Sequence, residues 1–344
     1  MSSMSGWLIE PFKLNRPVSH AEMSANLRAD GLPSVDPLNK GAIHLDATCL
    51  EYHDRYFLFR GWGVLGGGFF ALFAMALAAA VSYGFLQSSK GQVGPVFWGI
   101  AIMVLMCGLP ALYALKALFF KDAFRYTHYP IRFNRDNRMV YVFTGGARQI
   151  LKVPFDDAFF FINEDTGAGA SAVRLYDLRM HVLQDEKIIH TVSIGSDSGG
   201  SAGIILAHWE MIRRFMDQGL DALPFPPLGI FASSHVSVKN SFIIPFAVFN
   251  GPLRWILSPF LIFIGVTKYI ALVTSKRPVW PKVVDAECRP ASGGRVFRQP
   301  PMYGDLPDGQ AGESAFMGYW KKAEARARLV DKELASMFPP AACL

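Results

Sequence analysis

Two long runs without a charged residue constrain this sequence more than any other feature. The first extends from Trp62 to Leu86 and the second from Pro95 to Leu115. At a rise of about 1.5 Å per residue, the first run would form a helix roughly 37 Å long, which exceeds the bilayer core of about 30 Å. The second run is also long enough to cross, and only residues 87–94 separate the two. The sequence therefore predicts a transmembrane helical hairpin over residues 57–120.

Basic residues flank both ends of this hairpin. Arg55 and Arg60 precede the first run, and Lys116, Lys121 and Arg125 follow the second, whereas the connecting loop has a single lysine. Lys and Arg accumulate in loops that stay in the cytoplasm. The pattern predicts that both ends of the hairpin, and with them the polar segment 1–56, are cytoplasmic.

The first run also contains small residues at helical spacing. Gly63 and Gly67 have the GxxxG spacing that lets two membrane helices approach closely. The partner could be the second run of the same hairpin, or a second copy of the chain in a homo-oligomer. Both alternatives remain open at the level of sequence.

Residues 121–236 change to short β-rich runs followed by one amphipathic helix. Ile205, Trp209, Ile212 and Met216 recur at intervals of four, three and four residues, which indicates a helix with one apolar face. Ser198 or Ser201 could cap its start, and Gly219 its end. The candidate strands are Pro130–Asn134, Met139–Thr144, Arg148–Val153, Ala158–Asn163, Ala172–Tyr176, Arg179–Leu183 and Lys187–Ile194.

Seven short strands closed by one helix resemble the pleckstrin-homology-like architecture. The predicted fold class is thus an α+β membrane protein, with a transmembrane helical hairpin and a cytoplasmic, pleckstrin-homology-like β-rich domain. Such scaffolds host many functions, so the likeness alone assigns none.

Five arginines of this domain are candidate contacts for lipid headgroups or a protein partner. Arg132, Arg135 and Arg138 lie on the first predicted hairpin, near the membrane in sequence. Each could gain about 1 kcal/mol from anionic headgroups, or simply be solvated. Arg213 and Arg214 lie on the polar side of the amphipathic helix, where a protein could bind.

A third apolar region, residues 237–274, is interrupted by prolines and contains Arg254. A charge at the centre of a single span costs at least about 2.5 kcal/mol on insertion scales. A crossing would also place the basic residues of the tail outside. The sequence favours a re-entrant or interfacial element, or a split pair of short helices, with a third crossing as the alternative. Arg254 could be functional, or it could extend to the headgroups.

The remaining residues, 275–344, are predicted to form a Pro- and Gly-rich linker and a final helix from Glu313 to Met337. Trp320 belongs to a heptad-like apolar seam on that helix. The helix could pack on its own domain, bind a partner helix or lie on the membrane.

Catalytic and metal-binding patterns are weak. The four cysteines include no CxxC pair, and the eight histidines show no HxxxH or HExxH spacing. The sequence DSGG at residues 197–200 and the adjacent Asp156 and Asp157 fit loops better than a nucleophile or an acid–base pair. Glu51, His53 and Asp54 could bind a metal only with distant partners. We expect no catalytic residues, cofactor or metal, and the net charge of +6 is too dispersed for nucleic-acid binding.

Two stretches resemble a known group of proteins. They are HWEMIRRFMDQGLDALP, residues 208–224, and TSKRPVWPKVVDAECRP, residues 274–290. With the preceding hairpin, they resemble a bacterial membrane-protein family with a domain of unknown function, often associated with type VI secretion gene clusters. The resemblance extends over roughly residues 50–290 and implies a multi-pass inner-membrane accessory protein that takes part in effector handling or immunity. It provides no catalytic residues.

Three functional hypotheses follow. The first is a non-enzymatic binding protein of the inner membrane whose partner is a secretion component, an effector or a toxin. The second is a membrane-bound enzyme that acts on lipid or peptide at the cytoplasmic face, with His235, Lys239 and Arg254 as its polar groups. The third is a membrane-active effector.

Overall fold

The computed structural model describes residues 12–88, 93–145, 150–166, 174–223, 233–248, 251–290, 296–300, 302 and 313–337. The helices are α1 (His20–Ser24), α2 (Trp62–Ser88), α3 (Val93–Ala114), α4 (Phe120–Asp122), α5 (Ala202–Gln218), α6 (Val238–Val248), α7 (Pro252–Ile256), α8 (Ser258–Val273), α9 (Lys282–Glu287), α10 (Glu313–Leu329) and α11 (Asp331–Met337). The strands are β1 (Ala42–Asp46), β2 (Cys49–Tyr52), β3 (Ile131–Asn134), β4 (Met139–Phe143), β5 (Ile150–Pro154), β6 (Phe159–Thr166), β7 (Arg174–Gln184), β8 (Lys187–Gly199) and β9 (Val296–Arg298).

The strands form two open antiparallel sheets. The larger has the order β5-β4-β3-β2-β1-β9, and the smaller has the order β6-β7-β8. Within the larger sheet, β2 pairs with β3 although the whole hairpin of α2 and α3 lies between them in sequence. The apolar helices therefore leave the domain between two neighbouring strands and return to it.

Two strands come from the N-terminal segment, where the sequence predicted none. The runs that form β1 and β2 include charged residues, which weakened the strand pattern. Asp46 at the end of β1 accepts hydrogen bonds from the backbone N–H groups of Thr48 and Cys49, at 2.8 and 2.7 Å. A buried carboxylate thus holds the turn from β1 to β2.

The described part of the predicted strand Ala172–Tyr176, residues 174–176, and the predicted strand Arg179–Leu183 belong to one strand, β7, and residues 172 and 173 lie outside the described residues. Asp177 in its middle is buried, and its carboxylate lies 3.1 Å from Arg55 and 2.8 Å from Arg179. Because these guanidinium groups neutralise it, the charge does not interrupt the strand. The DSGG sequence was predicted to be a loop, but β8 continues through Gly199.

Helix α5 is the predicted amphipathic helix, and its apolar face packs into the core shared by both sheets. Ser201 caps it, because its hydroxyl accepts a hydrogen bond from the backbone N–H of Ile204. The helix ends at Gly219, whose φ of 90° favours glycine. The apolar side of α5 that is buried in this core comprises Ile204, Ile205, Trp209, Ile212, Phe215 and Met216.

Two segments, Trp62–Ser88 and Val96–Asp122, are each 27 residues long and apolar enough to cross a membrane. The second includes most of α3, a π-helical turn at Leu115–Phe119, and α4. A Cβ atom at Gly67 would lie 2.7 Å from the backbone N of Phe119 and 2.9 Å from the carbonyl oxygen of Ala114. Gly67 therefore gives the two segments of one hairpin their close approach.

The third apolar region is divided into α6, α7 and α8. Helices α6 and α8 pack on each other, and a Cβ atom at Gly265 would lie 2.6 Å from the ring of Phe242. At 16 residues, α8 is shorter than the two long segments. Among the described residues, the third apolar region therefore consists of short helices and has no single helix of membrane-spanning length.

The tail packs on the domain. Residues 275–312 were predicted to be an extended linker, but they include α9, which lies on the outer face of the larger sheet, and β9, which pairs with β1. Helix α10 packs against α5, where a Cβ atom at Gly203 would lie 1.8 Å from the carbonyl oxygen of Ala327. Of the three placements open for the final helix, packing on its own domain is the one in this structure.

Candidate functional site at the base of the apolar helices

Asp122, the last residue of α4, caps the start of α2. Its Oδ2 atom accepts hydrogen bonds from the backbone N–H groups of Gly61, Gly63 and Val64, at 2.7, 3.0 and 3.3 Å. These groups have no acceptor within their own helix, and a negative charge at a helix N-terminus is favourable. The end of the second apolar segment is thereby joined to the beginning of the first.

Arg60 completes this connection. Its Nη1 atom donates to the carbonyl oxygen of Asp122 at 2.6 Å and lies 3.4 Å from the carboxylate, and its Nη2 atom donates to the carbonyl oxygen of Tyr126. The guanidinium also lies over the ring of Tyr56, 4.6 Å from the centroid. Both charged side chains are completely buried. Removal of either partner would leave a buried charge without its counter-charge.

Helix α8 is attached at the same place through Lys268. Its Nζ atom donates to the carbonyl oxygens of Phe57 and Leu58, at 3.2 and 3.0 Å. A Cβ atom at Gly61, where φ is 100°, would lie 2.5 Å from the Cα atom of Lys268. Only glycine fits both this backbone conformation and this approach. We call the meeting point of α2, α4 and α8 at Arg60, Gly61, Asp122 and Lys268 the junction.

A layer of buried titratable groups lies between the junction and the sheets. Burial lowers the pKa of His53 to about 4 and that of His128 to about 3. Burial raises the pKa of Asp54 to about 6, although the backbone N–H of Tyr129 donates to its carboxylate at 2.8 Å. His53 and His128 are both near Phe57, with ring centroids 4.9 and 6.1 Å from that of Phe57. The imidazoles of His53 and His128, next to the junction, are therefore neutral at pH 7.

Beyond the junction, the two long helices expose large apolar side chains. Phe97 is 62% exposed, Trp98 66% and Tyr113 73%. Other exposed members of these helices are Phe69, Leu72, Phe73, Met75, Leu86, Leu105, Met106 and Leu112. A water-soluble domain does not normally expose so many apolar side chains in one continuous surface.

Four of the five contact arginines predicted in the β-rich domain lie around the C-terminal half of α5. Arg213 and Arg214 both donate to Glu210, at 2.8 and 2.6 Å. Arg138 pairs with Asp156 at 2.6 Å and with Asp217 at 3.4 Å. Arg135 lies against Gly219, because a Cβ atom there would be 3.0 Å from the guanidinium carbon.

Two of these arginines, Arg138 and Arg213, border a cleft of about 490 Å³ between α5 and residues 27–35. Its apolar wall includes Trp209 and Phe155, whose rings stack with centroids 6.0 Å apart. Arg28, which the sequence did not single out, lies over the ring of Phe155 at 4.7 Å from the centroid. The adjacent arginines of α5 pointed to this side of the helix, but no local pattern indicated that residues 27–35 would lie beside it.

Arg132 is separate from that group and is engaged within the chain. It pairs with Glu51 at 2.7 Å and with Asp285 of α9 at 2.9 Å, and it lies 4.6 Å from the ring centroid of Trp280. The indole N–H of Trp280 also donates to Glu51. Arg132 thus connects β3 to α9, and Glu51 takes part in this connection.

The other predicted contacts are dispersed. Arg254 is exposed on α7 and lies 5.5 Å from the ring centroid of Phe246. Trp320 is half-buried against the shared core. His235 and Lys239, at the start of the α6 region, form no hydrogen bond with Arg254 in the described part of the chain. Among the described residues, no group of three or more His, Cys, Asp or Glu side chains is arranged to hold a metal ion.

Comparison with known proteins matches the chain to a protein family. The model of a family of unknown function, DUF6708, matches residues 109–292, which include α4, β3 to β8, α5 and the third apolar region. No curated protein and no solved structure matches the chain.

Proposed function

The chain belongs to the DUF6708 family of unknown function, and from its geometry we propose that it is a non-enzymatic protein of the bacterial inner membrane that holds a binding domain at the cytoplasmic face. The observation that carries this proposal is the junction. Two segments of membrane-spanning length leave the α+β domain at one point, where a buried Arg60–Asp122 pair fixes them. Such a connection suits an anchor that positions a domain at a bilayer.

The proposed orientation follows from charge. The basic residues near the junction favour a cytoplasmic position under the positive-inside rule, and we propose that residues 87–94 lie outside. A membrane-impermeant maleimide should label Ser88→Cys in intact cells and should leave Lys187→Cys, on the domain, unlabelled. Labelling of Lys187→Cys without labelling of Ser88→Cys would indicate the opposite orientation. Release of the protein by alkaline carbonate would refute the anchor.

The fold of the domain supports a binding role. Strands β2 to β5 are consecutive in one sheet, β6 to β8 form the other, and α5 follows. We propose that this unit is pleckstrin-homology-like, with the apolar hairpin inserted between its first and second strands. That architecture commonly binds proteins or headgroups, although the scaffold alone does not choose between them.

The proposed protein-binding surface is the cleft between α5 and residues 27–35. It combines an aromatic wall with Arg28, Arg138 and Arg213, and aromatic and arginine side chains are enriched in protein interfaces. On the resemblance to families associated with type VI secretion, the partner would be a secretion component, an effector or a toxin.

Gentle detergent extraction of the tagged, full-length protein, followed by mass spectrometry, tests this role. We expect a stoichiometric protein partner that is lost in Arg213→Glu and retained in the matched charge reversal Lys187→Glu at the start of β8. Arg213 is partly exposed, so its replacement should leave the fold intact. Recovery of the wild-type protein alone, as a monomer or homo-oligomer, would contradict the binding role.

A further inference from the structure

The segments that follow α4 and α8 run side by side where both rejoin the domain. The backbone N–H of Lys276 donates to the carbonyl oxygen of Arg125 at 2.7 Å, and that of Thr127 donates to the carbonyl oxygen of Lys276 at 2.9 Å. These bonds form a parallel bridge between Tyr126 and Lys276. Residues that are 150 positions apart therefore share one short surface beside the junction.

This surface is basic. Arg125, Lys276 and Arg277 are all exposed. Tyr126 and Lys276 are the bridge partners, so Arg125 and Arg277 each lie one residue from the bridge. The Nε atom of Arg125 donates to the carbonyl oxygen of Phe120 at 3.2 Å, and this bond does not use the Nη groups.

These three cations differ from most arginines of the domain. Arg132, Arg138, Arg179 and Arg213 each have a carboxylate within ion-pair distance. No ion pair joins a carboxylate to the three cations beside the junction within the described ranges. An external anion would find these positive charges uncompensated by the protein.

An aromatic residue in an unusual conformation lies next to them. Phe124 has a φ of 60°, in the left-handed region that large side chains rarely adopt. Phe124 is 61% exposed and Phe120 is 49% exposed. The centroids of their two rings are 6.1 Å apart. Exposed aromatic rings beside Lys and Arg are typical of protein surfaces at the boundary between acyl chains and headgroups.

We propose that Arg125, Lys276 and Arg277, together with Phe120 and Phe124, form a binding site for the headgroup of an anionic phospholipid. The guanidinium groups would bind the phosphate, for which their planar donor pattern is suited. The two rings would contact the adjoining acyl chains. The assignment rests on the proposed membrane function, because the site faces a bilayer only if α2 and α3 cross it.

The test uses full-length protein in an uncharged detergent, titrated with dioctanoyl phosphatidylglycerol, dioctanoyl phosphatidylcholine and inorganic phosphate. We expect phosphatidylglycerol to bind at least tenfold more tightly than the other two. The Arg125→Gln/Arg277→Gln double variant should raise its Kd about tenfold or more, since two phosphate contacts are lost. The matched control is Lys321→Gln/Lys322→Gln, which makes the same change in net charge on α10 and should leave the Kd unchanged.

Three results would overturn the assignment. Equal binding of phosphatidylcholine would exclude headgroup selectivity, and equal binding of inorganic phosphate would identify a free-phosphate site. An equal loss of affinity in the control would show that only the total charge matters. Alkaline extraction of the Arg125→Gln/Arg277→Gln variant separates this proposal from the anchor itself, because the variant should remain in the membrane fraction even where headgroup binding is lost.

Phe124→Gly provides an independent variant that is expected to fold. Glycine adopts a φ of 60° without strain, so the thermal midpoint of the lipid-free protein should stay the same or rise. Affinity for phosphatidylglycerol should fall, because the ring no longer contacts the acyl chains. Unchanged affinity would contradict the role of Phe124 in the site.

Discussion

Arg60 and Asp122 lie 62 positions apart in the sequence, and their completely buried side chains meet where the first apolar segment begins and the second ends. The carboxylate caps α2 on one side and faces the guanidinium on the other. The pair therefore connects the membrane-type helices to the sheet domain through charge as well as through packing. Arg60 precedes the hairpin and Asp122 ends it. The loss of either side chain should therefore disturb the packing of α2, α4 and α8 at the junction.

Replacement of Asp122 by Ala should be strongly destabilising. It removes the acceptor of three backbone N–H groups and leaves Arg60 buried without its counter-charge, and such losses typically cost about 3–5 kcal/mol. Thermal unfolding of the detergent-purified protein measures the effect. Asp285→Ala is the control, because Asp285 is about half exposed and its pair with Arg132 should contribute less than about 1 kcal/mol. Equal effects of the two substitutions would contradict the role assigned to the junction.

Gly67→Ala should destabilise the hairpin. The added methyl group would lie 2.7 Å from the backbone of Phe119, and backbone cannot move aside as a side-chain end can. We expect a lower thermal midpoint and an unchanged oligomeric state by light scattering in detergent. Gly84→Ala in the same helix is the control, because nothing lies within 4 Å of that added atom. A change of oligomeric state in Gly67→Ala alone would favour the other use of the GxxxG spacing, between copies of the chain.

Gly203→Ala should detach α10 and α11 from α5. The new Cβ atom would lie 1.8 Å from the carbonyl oxygen of Ala327, so the helices must separate at this point. Limited trypsin digestion should then cut at Lys321 and Lys322 much faster than in the wild-type protein. Gly318→Ala on α10 has open space around the added atom and should not accelerate cleavage. Equal cleavage rates in Gly203→Ala and the wild type would show that this contact does not hold the tail.

The sequence predicted the parts of the fold that depend on local pattern. The two uncharged runs, the stripe of Trp209 and its neighbours, and the interruption of the third apolar region by proline all depend on adjacent residues. The structure has each of these elements. The prediction of two separate strands around Asp177 was wrong, because the carboxylate is tolerated inside β7 through ion pairs with Arg179 and with Arg55, which is distant in sequence.

The candidate sites show the same limit. Arg60, Lys121 and Arg125 were noted only as flanking charges, and nothing local distinguishes the buried Arg60 from the exposed Arg125. Their different roles come from partners in other segments, Asp122 for the first and Lys276 for the second. Arg132 was grouped with Arg135 and Arg138 because they share a predicted hairpin. In the structure, Arg132 pairs with Asp285 of α9. Arg135 and Arg138 instead lie near the end of α5.

The stability of the protein should fall as the pH is lowered from 7 to 5, because buried histidines must remain neutral. Burial lowers the pKa of His53 to about 4 and those of His128 and His208 to about 3, from 6.5. Since each pKa is lower in the folded protein, the unfolded chain binds protons first as the pH falls through 6.5. Between pH 7 and 5, each histidine should cost about 2 kcal/mol of stability.

Asp54 acts in the opposite direction. Burial raises its pKa from 3.8 to about 6, so its ionised form destabilises the folded protein at pH 7, and protonation should restore about 1 kcal/mol by pH 5. The three histidines therefore dominate. Thermal unfolding at pH 7, 6 and 5 should show a falling midpoint. The decline should be smaller in His208→Phe, which keeps a ring against Tyr52 and removes one titrating group. A midpoint that is independent of pH in both proteins would mean that protons reach these imidazoles without unfolding the domain.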